Sequence, residues 1–127
     1  MIKIYLYSWA AGAVLSAIAH LVAPGFMASG TSWPLANGWQ REIALFDIAL
    51  ALYIVCAVVQ LPKNFLRTLV SALTLLSFCL GANHLLSAVN AHWSYIHVAG
   101  VIANASAVVF GFCLITLNRL AVRKTDV

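Results

Sequence analysis

Four apolar runs, at about residues 4–22, 42–61, 68–87 and 95–117, take up most of this 127-residue chain. Crossing a bilayer's hydrocarbon core takes about 20 apolar residues of helix. A backbone in lipid must also satisfy its own hydrogen bonds, which a helix does within one segment. The runs therefore predict an all-α protein, a single-domain four-helix transmembrane bundle. Composition excludes the alternative: 8% of residues are charged and 64% hydrophobic, whereas soluble domains carry roughly 25% charged residues. The first run is longer than the 7–15 apolar residues of a signal peptide's central region, so it is expected to be a retained helix.

The net charge of +4 does not mark a nucleic-acid surface, because the basic residues sit at the ends of apolar runs and not along one helix face. They read as topology signals. With four spans, Lys3, Lys63, Arg67, Arg119, Arg123 and Lys124 share one side, and only Arg41 lies on the other. The expected orientation is N-in/C-in, with both termini cytoplasmic, in a multi-pass protein of the bacterial inner membrane. Cys56, Cys79 and Cys113 are single residues inside apolar runs, without metal-finger spacing, and read as small hydrophobes.

Taken in order, Tyr5, Tyr7 and Trp9 form a cluster at the start of the first span, where interfacial aromatics are expected. Gly12, Ser16 and His20 follow at four-residue steps, a stripe that allows close helix approach. The 23–41 connection holds the turn signals Pro24-Gly25, Ser29-Gly30 and Asn37-Gly38, so it is not a fifth span. Its Phe26, Met27, Trp33, Leu35 and Trp39 are too apolar for a free loop, and it is expected to lie across the bundle end, either as a lid or with its aromatics at headgroup level. Pro62-Lys63-Asn64 ends the second span. The connection before the last span contains His92 and Trp93, and the chain closes on a basic, soluble tail. Ala99, Ala103, Ala107 and Gly111 repeat at four-residue steps on the last span, a second stripe for helix contact within the bundle or between protomers.

The polar residues are distributed unevenly by depth. All four histidines, with Glu42 and Asp47, fall in the outer half, while the inner halves of the spans hold almost nothing ionisable. An acid at the depth of Asp47 costs on the order of 3 kcal/mol unless it faces a bundle interior with partners. His97, Gly100 and Asn104, spaced i, i+3, i+7, mark one face of the last span. Glu42, Asp47, His84, His97, His20, Asn104 and Asn83 are thus the candidate ligand-binding residues, in one outward-facing carboxylate and histidine pocket beneath the 23–41 connection.

Three readings fit this pattern. In the first, the pocket binds a small ligand or redox cofactor, such as a quinone hydrogen-bonded by His84 and Asp47. In the second, the protein is a non-catalytic accessory subunit, a homo-oligomer or part of a larger membrane complex, and the same side chains only lock the helices together. The third is a metal site: carboxylates with imidazoles suit a transition metal, with Glu42, Asp47 and His84 as ligands. Haem ligation by two of His20, His84 and His97 is a variant of it. Against a metal, Glu42 and Asp47 stand roughly 140° apart around a helix of 3.6 residues per turn. No nucleophile elbow, catalytic triad or phosphate-binding glycine loop is visible, so no reaction follows from the sequence.

The residues Gln40-Arg41-Glu42-Ile43, Phe46-Asp47 and Ala49, with Gly81-Ala82 and His84, carry a resemblance. The chain resembles small bacterial four-helix membrane proteins of the DoxX-like kind. It is more similar still to an uncharacterised family with Q-x-E-I-x-x-F-[ND]-x-A in helix two and G-A-x-x-H in helix three. The layout match covers nearly the whole chain; the histidine here follows Gly-Ala one residue early. DoxX-like proteins include quinone-linked redox subunits, and a quinone link is what the resemblance implies.

Overall fold

The computed structural model describes residues 1–29, 31, 33–90 and 93–123, with side chains described through residue 117. Five helices follow in order: α1 (Ile2–Val22), α2 (Pro24–Ser29), α3 (Asn37–Gln60), α4 (Lys63–Asn90) and α5 (Tyr95–Arg123). Four of them, all but the six-residue α2, are long and apolar enough to cross a membrane. His92 and the last four residues of the tail lie outside the described residues; residues 118–123 continue α5.

Two helix starts come earlier than the hydropathy pattern places them. Leu61 is extended, with φ −97 and ψ 147, as a residue preceding proline prefers. The Pro62 carbonyl then accepts from the Phe65 and Leu66 amides, which starts α4 at once, five residues before Thr68. One proline ends α3 and launches α4. At the other end of α3, Asn37-Gly38 forms the first helical turn and not a free turn, since first-turn amides need no intrahelical partner. Pro24 likewise opens the short α2, the helix position where a missing N–H costs nothing.

Polar pairs fix the packing. His20 meets Gln40, and Asp47 faces Ser16, so α1 and α3 run antiparallel. His84 meets His97, and Gly81 lies against Asn104, so α4 and α5 do the same. Tyr5 bonds Thr74 at 3.2 Å and Trp9 Nε1 donates to Ser77 Oγ at 2.9 Å, which sets α1 parallel to α4. α1 touches α3, α4 and α5, whereas α3 has only slight contact with the α4–α5 pair.

The side-chain distribution is that of a lipid-solvated protein. Small residues such as Ala10, Ala13, Ala44, Ala51 and Ala57 are buried, while Leu15, Phe46 and Phe112 are 67%, 78% and 65% exposed. Close backbone approach, not burial of large side chains, joins helices where lipid is as apolar as leucine. Exposed hydroxyls in the spans return to their own helix: Ser71 to the Arg67 carbonyl, Ser106 to Ile102, and Thr116 to Phe112. That arrangement satisfies these three donors without a partner from lipid. The three cysteines are free and exposed.

Tyr5 departs from its expected place at the interface. It is 2% exposed, with its ring edge-on to Phe110 at 5.4 Å and its hydroxyl on Thr74. A tyrosine is buried when its hydroxyl finds a partner, and Thr74 supplies one from another helix. Gly111 makes the contact fit. A Cβ there would stand 2.0 Å from Thr74 Oγ1 and 3.0 Å from the Tyr5 hydroxyl. Thr74 cannot rotate away without losing its bonds to Tyr5 and to the Val70 carbonyl. Ala99 and Ala103, from the same stripe, are exposed. Gly111→Ala is therefore expected to destabilise the protein by about 1–3 kcal/mol, as overpacking does. Gly12→Ala, into open space, is expected to leave it unchanged or stabilise it by up to about 1 kcal/mol. Thermal unfolding of both variants in one detergent measures the difference.

Candidate functional site

The end of α3 that follows the 23–36 segment carries its polar residues on one face. Gln40, Ala44, Asp47, Ala51 and Ile54 recur at i, i+4, i+7, i+11, i+14, and all but Asp47 are buried. This face lies against α1, so Gln40 and Asp47 are drawn into the contact, while Glu42, off the face, is exposed. On α1, Ser16 and His20 stand one turn apart and are half-buried. His20 Nδ1 and Gln40 Oε1 form a hydrogen bond; the amide oxygen accepts, so the proton is on Nδ1. Asp47 interacts with the Ser16 hydroxyl and feels the charge of His20. Ser16, His20, Gln40 and Asp47 thus form one polar group on the α1–α3 contact.

A second group lies at the same end, on the α4–α5 contact. His84 and His97 bring their Nδ1 atoms to 3.3 Å. The ring centres are 5.5 Å apart, so the two nitrogens lie nearly on the line between the rings, the geometry of a hydrogen bond. His97 is fully buried. Gly100 lets the rings meet: a Cβ there would be 2.6 Å from the His84 ring, so the imidazole lies directly over the glycine backbone. Asn104 turns its amide back to the Gly100 carbonyl at 2.9 Å, and its Cβ would be 3.1 Å from a Cβ at Gly81. Asn83 is exposed and belongs to neither group.

The segment between α1 and α3 crosses from one group to the other. The Trp33 ring lies 4.7 Å from His97 and 5.7 Å from His84. Ser29 Oγ meets the Tyr95 hydroxyl at 3.1 Å, and Phe26 packs on the Tyr95 ring at 5.5 Å. Beside this segment, His20, Leu21, Pro24, Asn37 and Arg41 line an open cleft of about 330 Å³. Asn37 and Arg41 are one turn apart on α3, and His20 and Leu21 close α1.

The expected pocket therefore divides. Asp47 stands with Ser16 and His20, His84 stands with His97, and α3, which carries Asp47, has only slight contact with the α4–α5 pair. Among the described residues, no three His, Cys, Asp or Glu side chains gather as a metal-binding group, and Glu42, Asp47 and His84 are distributed accordingly. Nor do His84 and His97 suit a haem. Axial imidazoles on opposite sides of an iron stand about 4 Å apart with the macrocycle between them, and a directly bonded pair leaves no room for it. Gln40, Asn37, Arg41 and Trp33 are site residues that sequence reasoning passed over. The signal for Gln40 was its seven-residue step to Asp47; Trp33 was read only as part of a connection lying across the bundle end, and its imidazole partners, 51 and 64 residues away, were not legible.

No protein-family model, curated protein or solved structure matches the chain. The site rests on its own geometry. His84→Ala and His97→Ala each remove one half of a buried hydrogen bond, and a double-mutant cycle is expected to show coupling of about 0.5–3 kcal/mol. Denaturation of the two single variants and the double variant measures it; additive losses would show that the rings stabilise the helices independently.

Proposed function

We propose that the protein binds a small ligand with acceptor oxygens at the outer end of the bundle, in the cleft lined by His20, Asn37 and Arg41. The cleft itself is the observation that carries this reading: about 330 Å³ of open space with donor side chains on its walls. That volume is at the small end of the range for ligand sites. Arg41 contributes a fork of N–H groups, Asn37 an amide and His20 an imidazole. Behind His20, Asp47 adds a carboxylate to the same α1–α3 contact. The carbonyl oxygens of a quinone are ligands of this type, and the resemblance to DoxX-like proteins supports a redox cofactor among the candidates.

The arrangement of Lys and Arg supports a bacterial inner-membrane location with both termini cytoplasmic. Reporter fusions after residues 35 and 127 are expected to place the first outside and the second inside the cell. The opposite pattern would reverse the orientation and put the cleft on the cytoplasmic side.

A second reading, an accessory subunit or homo-oligomer, draws on the uncovered helix surface. Only 11% of the most apolar window of α5 is buried, and α3 rests on α1 almost alone. One preparation tests both readings. Intact mass in mild detergent, for wild type, Arg41→Ala and Asp47→Asn, is expected to show a small bound species in wild type that Arg41→Ala loses while its unfolding temperature stays within a few degrees. Bound protein partners with no small species would favour the second reading.

A further inference from the structure

We infer that the group the cleft receives is the phosphate of a phosphoester; this rests on the ligand-binding reading above and names its ligand class. The first support is the chemistry of the lining. Arg41 and Asn37 offer donors, the His20 ring, its Nδ1–H committed to Gln40, forms part of the wall, and neither nearby acid lines the space. Arg41 presents a planar fork that matches two oxygens of a phosphate, and it is favoured over lysine wherever that geometry matters. Asn37 is one turn before it on α3, so the two donors stand side by side, with the end of α1 opposite. A phosphate has enough acceptor oxygens to engage both donors at once, whereas a quinone carbonyl has one oxygen and no charge for Arg41 to meet.

The second support is charge. Arg41 is the one Lys or Arg that the topology places at this end of the spans. It is the positive charge that an anion in the cleft would meet, since neither Glu42 nor Asp47 lines that space.

The third support is depth. The cleft lies where α1 ends and α3 begins, among exposed aromatics: Trp39 is 62% exposed, Phe26 57% and Trp33 40%. Aromatics mark the interfacial level of a bilayer, which is also the level of lipid phosphates. Leu21 and Pro24 supply an apolar wall beside the donors, suited to the carbon atoms attached to a phosphoester.

The test uses full-length protein in a maltoside detergent, which carries no phosphate. Three probes are titrated separately: inorganic phosphate, a short-chain phosphatidylglycerol, and a carboxylate detergent of matched chain length. Binding is read by thermal shift and intact mass, for wild type, Arg41→Ala, Arg41→Gln and, as a control outside the cleft, His84→Ala. We expect a phosphate-bearing probe to bind wild type and His84→Ala equally, and the Arg41 variants roughly tenfold to a hundredfold more weakly, the loss of a charge-assisted hydrogen bond. Binding of the lipid but not of inorganic phosphate identifies a lipid headgroup as the source; comparable binding of both identifies a soluble phosphoester. If only the carboxylate binds, with the same dependence on Arg41, the phosphate assignment is overturned and the ligand cleft stands. If every probe binds the Arg41 variants as it binds wild type, or none binds at all, both are overturned.

Discussion

Helices in lipid gain nothing from hiding leucines, so the whole arrangement depends on the few places where backbones come close enough for polar groups to meet. α1 is the helix through which this happens. It packs along α3 through small residues and touches α4 and α5 through the Tyr5–Thr74 and Trp9–Ser77 bonds. Each such bond contributes on the order of 1 kcal/mol, yet these two fix the rotation and the height of one helix pair against the other. Gly111 is the third party, since any larger residue would push Thr74 out of reach of Tyr5. The position of the candidate site at the far end follows from this lock near the start of α1.

That division of labour explains the two polar groups. At the end where α1 starts, Tyr5, Trp9, Thr74 and Ser77 make the bonds between α1 and α4, set among buried leucine, isoleucine and valine side chains. Towards the other end the helices contact in pairs, α1 with α3 and α4 with α5, and each pair holds its own imidazole chemistry. The segment from α2 to Trp33 spans the interval, with Tyr95 and the two imidazoles under it. Through Phe26, Ser29 and Trp33 the chain that follows α1 reaches the α4–α5 pair, although α3 and α4 barely meet.

Much of this was legible in the sequence, for reasons that differ by feature. The four spans could be read because hydropathy over about 20 residues is a property of the local chain. The face of α5 that bears His97, Gly100 and Asn104 could be read because helical spacing puts those residues together whatever they meet, and it does meet α4. Tyr5 could not be placed, because a tyrosine near a helix start is satisfied equally by an interface or by a buried hydroxyl, and its partner is 69 residues away. Pro62 was read as a stop, and its second role as the start of α4 depends on the carbonyl it offers forward. Pairing was the least legible: nothing local says that α3 should lean on α1 and leave α4 to α5, and that choice separates Asp47 from His84.

The contrast between Glu42 and Asp47 carries the argument about function furthest. Both are acids on one helix, five residues apart, and the 40-44-47-51 face takes in only Asp47. Asp47 is held by Ser16 and close to His20, so its cost at that depth is offset by partners. A network whose purpose was only to lock α1 to α3 would end there, closed on itself. This one does not close: His20 belongs both to that network and to the wall of an open cleft, where Arg41 and Asn37 face the same space. The proposed ligand site rests on that opening, where an imidazole, an amide and a guanidinium line one cleft. For that reason we propose the ligand reading for the α1–α3 group, while the His84–His97 pair lies against the Trp33 ring.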